Sequence, residues 1–478
     1  MRILVVNSNN ELRPNPVIPL GACLAASAAE AAGHETVFLD LAFEKDPKTA
    51  LHGAIDRVRP EAIGISIRNV DNTDFFIPRF YLAEVRENVV APALEALPGR
   101  VVLGGAGFST MPEEILAFTG APAGVVADGE IAFPELLSRW AGGRGLEGVP
   151  GVVRLEGGRV EGAAGPSAPR DLDALPRSQA WKWVDLRRYQ SFGGAANLQT
   201  KRGCPLRCAY CVYNKVEGTA YRFRSPTSVR EEIAEMAAHG VRDAEFTDST
   251  FNIPLHHSKA VLEELARARL GVRLHTSGMN PREGDRELFD LMKRAGFRSI
   301  MISAEAASDR ALEGLGKGYT VREVERMVDL VRDAGFDAFW YFLFGGPGET
   351  DETVDETFRF MDRKIPRNHL VYIGAGIRIQ KGAPVEEIAR REGAIGPDEG
   401  LLKPKFYISP RVARDRLFAR IREEVLAHPN YLQVLDFQSS DAPLRFARLL
   451  RLLRISRPAW SYVPWLNRLF AGLGRKRR

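Results

Sequence analysis

Three cysteines, Cys204, Cys208 and Cys211, stand in the run Thr200-Lys-Arg-Gly-Cys-Pro-Leu-Arg-Cys-Ala-Tyr-Cys-Val-Tyr, and the chain's only other cysteine is Cys23, far upstream. A C-x3-C-x2-C cluster with no fourth partner restricts what this segment can become. A structural zinc site closes its shell with four protein ligands. The nearest downstream histidines, His239, His256 and His257, lack the C-x2-C/H-x3-H spacing of such a site. Four cysteines in 478 residues are too sparse for the disulfide framework of a secreted scaffold. Ferredoxin-type iron–sulfur sites mostly use four thiolates. Three thiolates would instead hold a four-iron cluster with one iron open to a substrate or cofactor.

The rest of the sequence is that of an ordinary globular protein, 45% hydrophobic and 27% charged, which excludes global disorder. Its length leaves room for two or three domains, each with its own core. The opening Met-Arg-Ile-Leu-Val-Val-Asn is an apolar run of strand length, unlike a signal peptide. No stretch of about 18 uncharged apolar residues occurs, so no membrane-spanning helix is expected. Together with thiols suited to a metal cluster, this points to the reducing cytoplasm. Residues 441–478 carry ten Lys and Arg against one acid, a net of +9 within a chain total of +5, which leaves −4 for the remainder. The basicity belongs to the tail.

Along the chain, apolar runs of strand length alternate with stretches of helical periodicity. In the first 140 residues, strands are expected at Ile3–Asn7, Glu35–Leu39, Ala62–Ser66, Val101–Leu103 and Gly124–Ala127, with helices between them. This alternation predicts a doubly wound parallel sheet that binds ligands beyond the carboxyl ends of its strands. The glycine-rich loop 104–107 is not G-x-G-x-x-G and follows a late strand, so it is no dinucleotide fingerprint. A hairpin at Gly151–Glu161 opens an irregular bridge. Its Trp181 and Trp183 are expected to pack between domains more than to line a cavity. From Asn197 to about residue 389 six further strand–helix units predict a partial (β/α)6 barrel, with active residues at the carboxyl ends of its strands.

The cysteine spacing, with Tyr210 just before the last cysteine, resembles the radical S-adenosylmethionine (SAM) superfamily. Leu-Gly-Gly-Ala-Gly-Phe-Ser-Thr-Met-Pro-Glu-Glu, then Val-Ala-Asp-Gly-Glu-Ile-Ala-Phe-Pro-Glu-Leu-Leu, resembles the cobalamin-binding domain of the B12-dependent members. The resemblance spans roughly residues 1–390 and implies four segments. Residues 1–145 would be a Rossmann-like cobalamin-binding domain and 146–195 a linker. Residues 196–390 would be the radical SAM barrel, and 391–478 a helical C-terminal region with a basic amphipathic tail.

It also implies cofactors and site residues. Cys204, Cys208 and Cys211 would hold a [4Fe-4S] cluster, and Tyr210, Asp248, Ser303 and Glu305 would bind SAM. Ser66, Arg68, Gly104, Gly105, Gly107, Ser109, Asp128, Gly129 and Glu130 would bind cobalamin. Asp248 and Glu305 also read as strand-end caps. Many cobalamin domains carry an Asp-x-His-x-x-Gly loop whose histidine ligates cobalt; here the loop is Asn7-Ser8-Asn9-Asn10. His34 and His52 read as structural. Arg68 either faces the cofactor's lower side or is a solvated loop residue. The stretch Arg378-Ile-Gln-Lys-Gly-Ala-Pro384 resembles the family's Tyr-Pro-Gly-Thr-Pro but departs from it by Gln380, Lys381 and Ala383, a change expected to concern substrate.

The tail alternates Arg445, Arg448, Arg451, Arg454 and Arg457 with Phe446 and leucines, then carries Trp460, Tyr462, Trp465, Phe470 and Arg475-Lys-Arg-Arg. A membrane surface, nucleic acid, and a helix packed on the barrel with a frayed basic end are the three readings. Nucleic acid is not expected from the rest of the chain. The resemblance implies a cytoplasmic enzyme, membrane-associated if the tail binds lipid. It would cleave SAM to a 5′-deoxyadenosyl radical and methylate an unactivated carbon through cobalamin. Its electron donor would be a flavodoxin or ferredoxin, and its substrate a small or amphiphilic molecule. Cyclisation or rearrangement is the alternative chemistry, and a B12 and cluster-based sensor without turnover the alternative class. No catalytic side chain is assigned.

Overall fold

The computed structural model describes residues 1–162, 169–433, 442–453 and 459–467. Arg454, Arg457, Phe470 and the terminal Arg475-Lys-Arg-Arg lie outside the described residues. The first sheet contains β1 (Arg2–Asn7), β2 (Glu35–Asp40), β3 (Ala62–Ser66), β4 (Val101–Gly104), β5 (Ala123–Val125), β6 (Val152–Glu156) and β7 (Arg159–Glu161). Their order is β2-β1-β3-β4-β5-β6-β7. The first five are parallel, as the alternation predicts. Ile3, Leu4, Val5 and Val6 are all buried, the signature of a strand covered on both faces. The hairpin β6–β7, expected in the linker, instead extends this sheet as an antiparallel edge. The first unit therefore runs to Glu161.

The second sheet uses β8 (Ala196–Leu198), β11 (Asp243–Phe246), β12 (Arg273–Met279), β13 (Phe297–Glu305), β14 (Asp337–Phe344), β15 (Leu370–Ala375) and β18 (Tyr431–Leu432). The numbers between belong to two short ribbons, β9 (Lys201–Arg202) with β10 (Arg222–Phe223), and β16 (Ile377–Arg378) with β17 (Phe406–Tyr407). The order β18-β15-β14-β13-β12-β11-β8 is a parallel open barrel. The expected six strands are there. The seventh, β18, comes from the segment expected to be only helical.

Local chemistry sets the barrel helices. Asp285 accepts from the Leu288 amide at 2.9 Å to open helix Arg286–Ala295, and a Thr320–Glu323 capping box opens helix Val321–Ala334. Each ends on a left-handed glycine, Gly296 or Gly335. Their buried faces, Leu288 and Met292 in one and Val324, Met327 and Val331 in the other, follow the 3.6-residue period.

Several tail aromatics turn inward. Trp460 lies 5.6 Å from the Phe339 ring beneath the barrel, and Phe446 meets Tyr462 at 6.1 Å. Helix Ala442–Leu452 packs on helix Leu186–Ser191, with Arg448 over Phe192. Leu449, Leu453 and Trp465 remain exposed. No helix among the described residues is long and apolar enough to cross a membrane. Trp181 stacks on His239 of the second unit, while Trp183 donates to Ser27 Oγ of the first at 2.8 Å, so both pack between domains.

Charged contacts fasten the two units. Arg378 Nε donates to Asp71 Oδ2 at 2.8 Å with both side chains almost wholly buried, and Lys381 pairs with Glu114 and Glu113. Of the three departures from the family's loop, Gln380, Lys381 and Ala383, Lys381 thus takes part in domain docking. In the turn after β14, Glu349 accepts from the amides of Gly345 and Gly346, and its other oxygen is buried without a partner. Burial raises its pKa to about 8 against those two donors.

Two predictions follow from these buried charges. Arg378→Met strands Asp71 in a dry interface and should cost about 3–5 kcal/mol in urea unfolding, with Asp71→Asn added to it recovering much of the loss. Equal stability of Arg378→Met and wild type would remove the docking role. Because folded Glu349 holds its proton more tightly than the unfolded chain does, its contribution to stability falls as pH rises from the ordinary carboxylate range through about 8. Glu349→Gln should therefore gain stability over wild type at pH 8.5 and much less at pH 5. A pH-independent difference in melting temperature would contradict this.

Candidate active site between the two domains

The cysteine loop is tied at its base by the β9–β10 ribbon. Gly203 is left-handed there, and a side chain on it would strike the Ala220 carbonyl. The Cys204 amide donates to Gly218 O at 3.0 Å, and that of Cys211 to Cys208 O at 3.1 Å. Cys204 and Cys208 are buried, Cys211 is half-buried, and all are free thiols. Burial raises the Cys208 thiol pKa and takes that of Cys211 to about 11. Such thiols lose their protons readily only to a cation that takes the proton's place. The three-thiol donor set, without a fourth protein ligand in the loop, fits a cluster that gives each thiolate its own iron.

Beside the loop, Glu305 ends β13 in a left-handed conformation rare for a non-glycine residue. Its Oε1 accepts from the Tyr210 hydroxyl at 2.6 Å and lies 3.5 Å from Lys317 Nζ, which also donates to Tyr210 at 3.0 Å. Burial disfavours the Lys317 cation, yet Tyr210, Tyr319, Glu305 and Cys208 together raise its pKa. One carboxylate oxygen of Glu305 is thus engaged by the protein, which leaves Oε2 for a ligand. Lys317 escaped sequence analysis, since a single lysine between glycines carries no signature. Its loop is pressed onto the cysteine loop: Ala209 N donates to Leu315 O at 2.8 Å, and a Cβ on Gly316 would meet Arg207 O.

Asp248, expected to face SAM, has its carboxylate turned into the protein. It accepts from Thr200 N at 2.7 Å, Thr200 Oγ1 at 2.6 Å and Lys201 Nζ at 3.2 Å, with both charged side chains fully buried. It holds the approach to the cysteine loop. Lys201 was also missed, because a lysine with zero exposure contradicts its usual place at a surface.

A cavity of about 520 Å³ opens between the units, and both sets of strand carboxyl ends face it. From the first unit come Asn7, Ser66, Arg68, Gly104, Gly105, Asp128, Gly129 and Glu130; from the barrel come Gln199, Thr247, Asp248, Ser277 and Ser303. It continues past Gly21, Ala22, Ala25 and Gly64 over a floor of Val5, Val102 and Val125. Small residues there leave room for a bulky group, so the slot fits the tail of a cofactor such as cobalamin. Gly107 and Ser109 are not in this lining. A Cβ on Gly107 would meet Arg68 O, and Ser109 Oγ donates to Gly105 O and accepts from Ala127 N, so they brace the loops.

Arg68, an exposed residue, lines the cavity, and desolvation by the surrounding protein lowers its pKa against the pull of Tyr213, Tyr81 and Glu245. No carboxylate among the described residues lies within ion-pair distance of it. Asp128 and Glu130 line the cavity but spend their charge across it: Arg202, two residues before Cys204, donates to Asp128 Oδ1 at 2.7 Å and to Glu130, and Arg222 pairs with Asp128. His34 and His52 lie away from the strand carboxyl ends, His34 entering the opposite end of β2.

Below the cavity the barrel is hollow. Alternate residues of successive strands are half-exposed while their neighbours are buried: Glu245, His275, Ser277, Met301, Ser303, Tyr341, Leu343 and Tyr372. His275 bridges Ser299 Oγ at 2.8 Å and Asp243 Oδ1 at 3.1 Å. The rings of Tyr341 and Tyr372 lie 5.5 Å apart, and Phe339 with Trp460 closes the floor.

Residues 10–137 match the B12 binding domain and residues 198–361 the radical SAM superfamily. The tryptophan 2-C-methyltransferase of Streptomyces laurentii is 30% identical over 414 residues, 72% of this chain and 67% of that protein. The structure of the radical SAM methyltransferase TsrM from Kitasatospora setae, with cobalamin and a [4Fe-4S] cluster bound, matches with a TM-score of 0.85 at 26% identity, covering 100% of this chain and 99% of that one. The same enzyme with tryptophan and a SAM analogue bound matches at 0.84 and 26%, covering 99% of each. The chain belongs to the cobalamin-dependent radical SAM enzymes.

Proposed function

We propose that this protein is a cobalamin-dependent radical SAM methyltransferase that places a methyl group on a carbon of a small-molecule substrate. The observation that carries the reading is the single cavity onto which the strand ends of both units open, with the cysteine loop at its edge. When bound, the cluster supplies the electron that cleaves SAM, and cobalamin carries the methyl group.

The residues of the chain divide the remaining tasks. Cys204, Cys208 and Cys211 would hold the cluster. Ser303, the free oxygen of Glu305 and the Tyr210 segment would receive SAM, with Lys317 supplying a fixed positive charge beside them. The glycine loops at 104–105 and 128–130 would admit the cobalamin tail. Arg68 would place an unpaired cation on its lower side, where no histidine stands. A cation there would disfavour a water ligand and ease reduction of cobalt. The buried clamps Arg378–Asp71 and Arg202–Asp128 hold the two cofactor halves in register and keep bulk water out of the joint. An external one-electron donor of flavodoxin or ferredoxin type belongs to the same reading. Among the described residues, peripheral membrane contact would rest on exposed Leu449, Leu453 and Trp465, since Phe446, Trp460 and Tyr462 pack inward.

Anaerobic purification with cobalamin supplied, beside a variant with the three cysteines changed to alanine, tests the proposal. Wild type should hold about four irons and one cobalamin. On reduction it should consume SAM to 5′-deoxyadenosine and S-adenosylhomocysteine, and the variant should lose iron and both products. Iron without cobalamin would remove the methyl-transfer mechanism, and zinc in place of iron would overturn the cluster.

A further inference from the structure

The cysteine loop has two sides, and one of them faces away from the cavity. Arg202, Tyr213, Val216 and Glu217 line the cavity, whereas Pro205 and Arg207, at the tip of the loop, are exposed and take no part in that lining. Against this outer side lies the turn 314–318, where Gly316 and Gly318 are exposed and left-handed. A Cβ on Gly316 would strike the Arg207 carbonyl at 2.8 Å, and one on Gly318 would come within 3.4 Å of the Arg282 guanidinium. The turn therefore sits between two exposed arginines, Arg207 and Arg282. At the base of the loop the β9–β10 ribbon adds Phe223, 39% exposed, with its ring 6.0 Å from that of Tyr221.

The charge of this face is not spent within the protein. Neither guanidinium has a carboxylate partner among the described residues. The acids nearby are engaged elsewhere: Asp285 and Glu287 hold Lys259, Glu283 accepts from the Leu255 amide at 2.8 Å, and Asp309 accepts from the Val321 amide at 2.7 Å. Glu313, exposed in the helix that leads into the turn, is the acid left against the two arginines. Behind the turn, Lys317 adds a buried cation. The chain ahead of residue 441 carries a net of −4, so this is a basic spot on an acidic body. Exposed arginines beside an aromatic ring and a bare glycine turn make a surface suited to protein contact, and its sign selects an acidic partner.

We propose that this outer face, with Arg207 and Arg282 on either side of the glycine turn, is the docking surface for an acidic electron-transfer protein that reduces the cluster. This rests on the methyltransferase reading, since it gives that reading's electron donor its place of entry and its charge. The inner side of the loop faces the cavity that receives SAM and cobalamin, so a protein-sized donor reaches the loop from outside. Without side chains at Gly316 and Gly318 the donor's surface approaches the backbone directly, and the Ala209 amide ties that backbone to the cysteine loop through Leu315 O at 2.8 Å. In a flavodoxin the flavin hydroquinone gives up one electron and becomes the semiquinone, and the oxidised cluster takes that electron to become the reduced one. Complementary charge acts on the encounter, so its effect is greatest at low ionic strength.

The test uses the cofactor-loaded protein with two reductants, a flavodoxin hydroquinone of net negative charge and dithionite, which needs no docking surface. The double variant Arg207→Glu with Arg282→Glu is set beside Arg57→Glu with Arg144→Glu, the same change in net charge on exposed residues at the amino-end edge of the first sheet. Cluster reduction by flavodoxin, read by freeze-quench electron paramagnetic resonance at low ionic strength, should be roughly tenfold or more slower in the first double variant. Added salt should close the gap. Its reduction by dithionite, iron content and melting temperature should match wild type, and the second double variant should match wild type throughout. Equal rates with flavodoxin in the first variant and wild type, an equal loss in the second, or an equal slowing with dithionite would each overturn the proposal. So would a wild type that dithionite reduces and flavodoxin does not. Iron content and dithionite reduction of the wild type report the methyltransferase reading separately: absence of the cluster overturns that reading, and the docking surface with it.

Discussion

The architecture depends on one charged contact. Arg202 leaves the β9–β10 ribbon two residues before the first cluster cysteine and inserts its guanidinium between Asp128 and Glu130 of the other domain. Burial alone would disfavour its charge, yet the two carboxylates more than offset that and hold it cationic. A bidentate guanidinium fixes both distance and orientation, which a lysine's point charge cannot. The base of the cysteine loop and the loop after β5 are therefore one rigid unit. Two sheets are thereby positioned to share a single cavity.

Much of this was legible in the sequence because it has a period or a spacing. Alternating strands and helices gave both parallel sheets, and the cysteine spacing identified the loop at the cavity's edge. What stayed hidden has neither property. The hairpin β6–β7 was visible as a hairpin, but nothing local says which sheet edge it joins. The two residues of β18 are too few to show a pattern. Lys201 and Lys317 are buried lysines whose partners, Asp248 and Glu305, come from distant strands.

Motif residues were found more easily than their roles. Asp128, Glu130 and Asp248 stand at strand ends near the cavity as expected, but their carboxylates are engaged by Arg202, Arg222 and Lys201. A strand end gathers loops from neighbouring elements, so a charge placed there meets protein partners as readily as ligand. The same holds for Lys381, a departure from the family's loop that pairs with Glu114 of the other domain, beside the buried Arg378–Asp71 pair. Gly107 and Ser109 lie close to the site and act on the loops behind it.

Trp460 closes the barrel from below, yet it belongs to no barrel strand or helix. The depth of the hollow is set by a segment separate from the elements that carry Glu305, the cysteine loop and Arg68. Room at the floor and chemistry at the rim are thus independent variables of this fold. A bulkier or slimmer group at that one position alters the room at the barrel floor and leaves the groups at the rim where they are. A scaffold built this way separates the size of its interior from the chemistry at its edge.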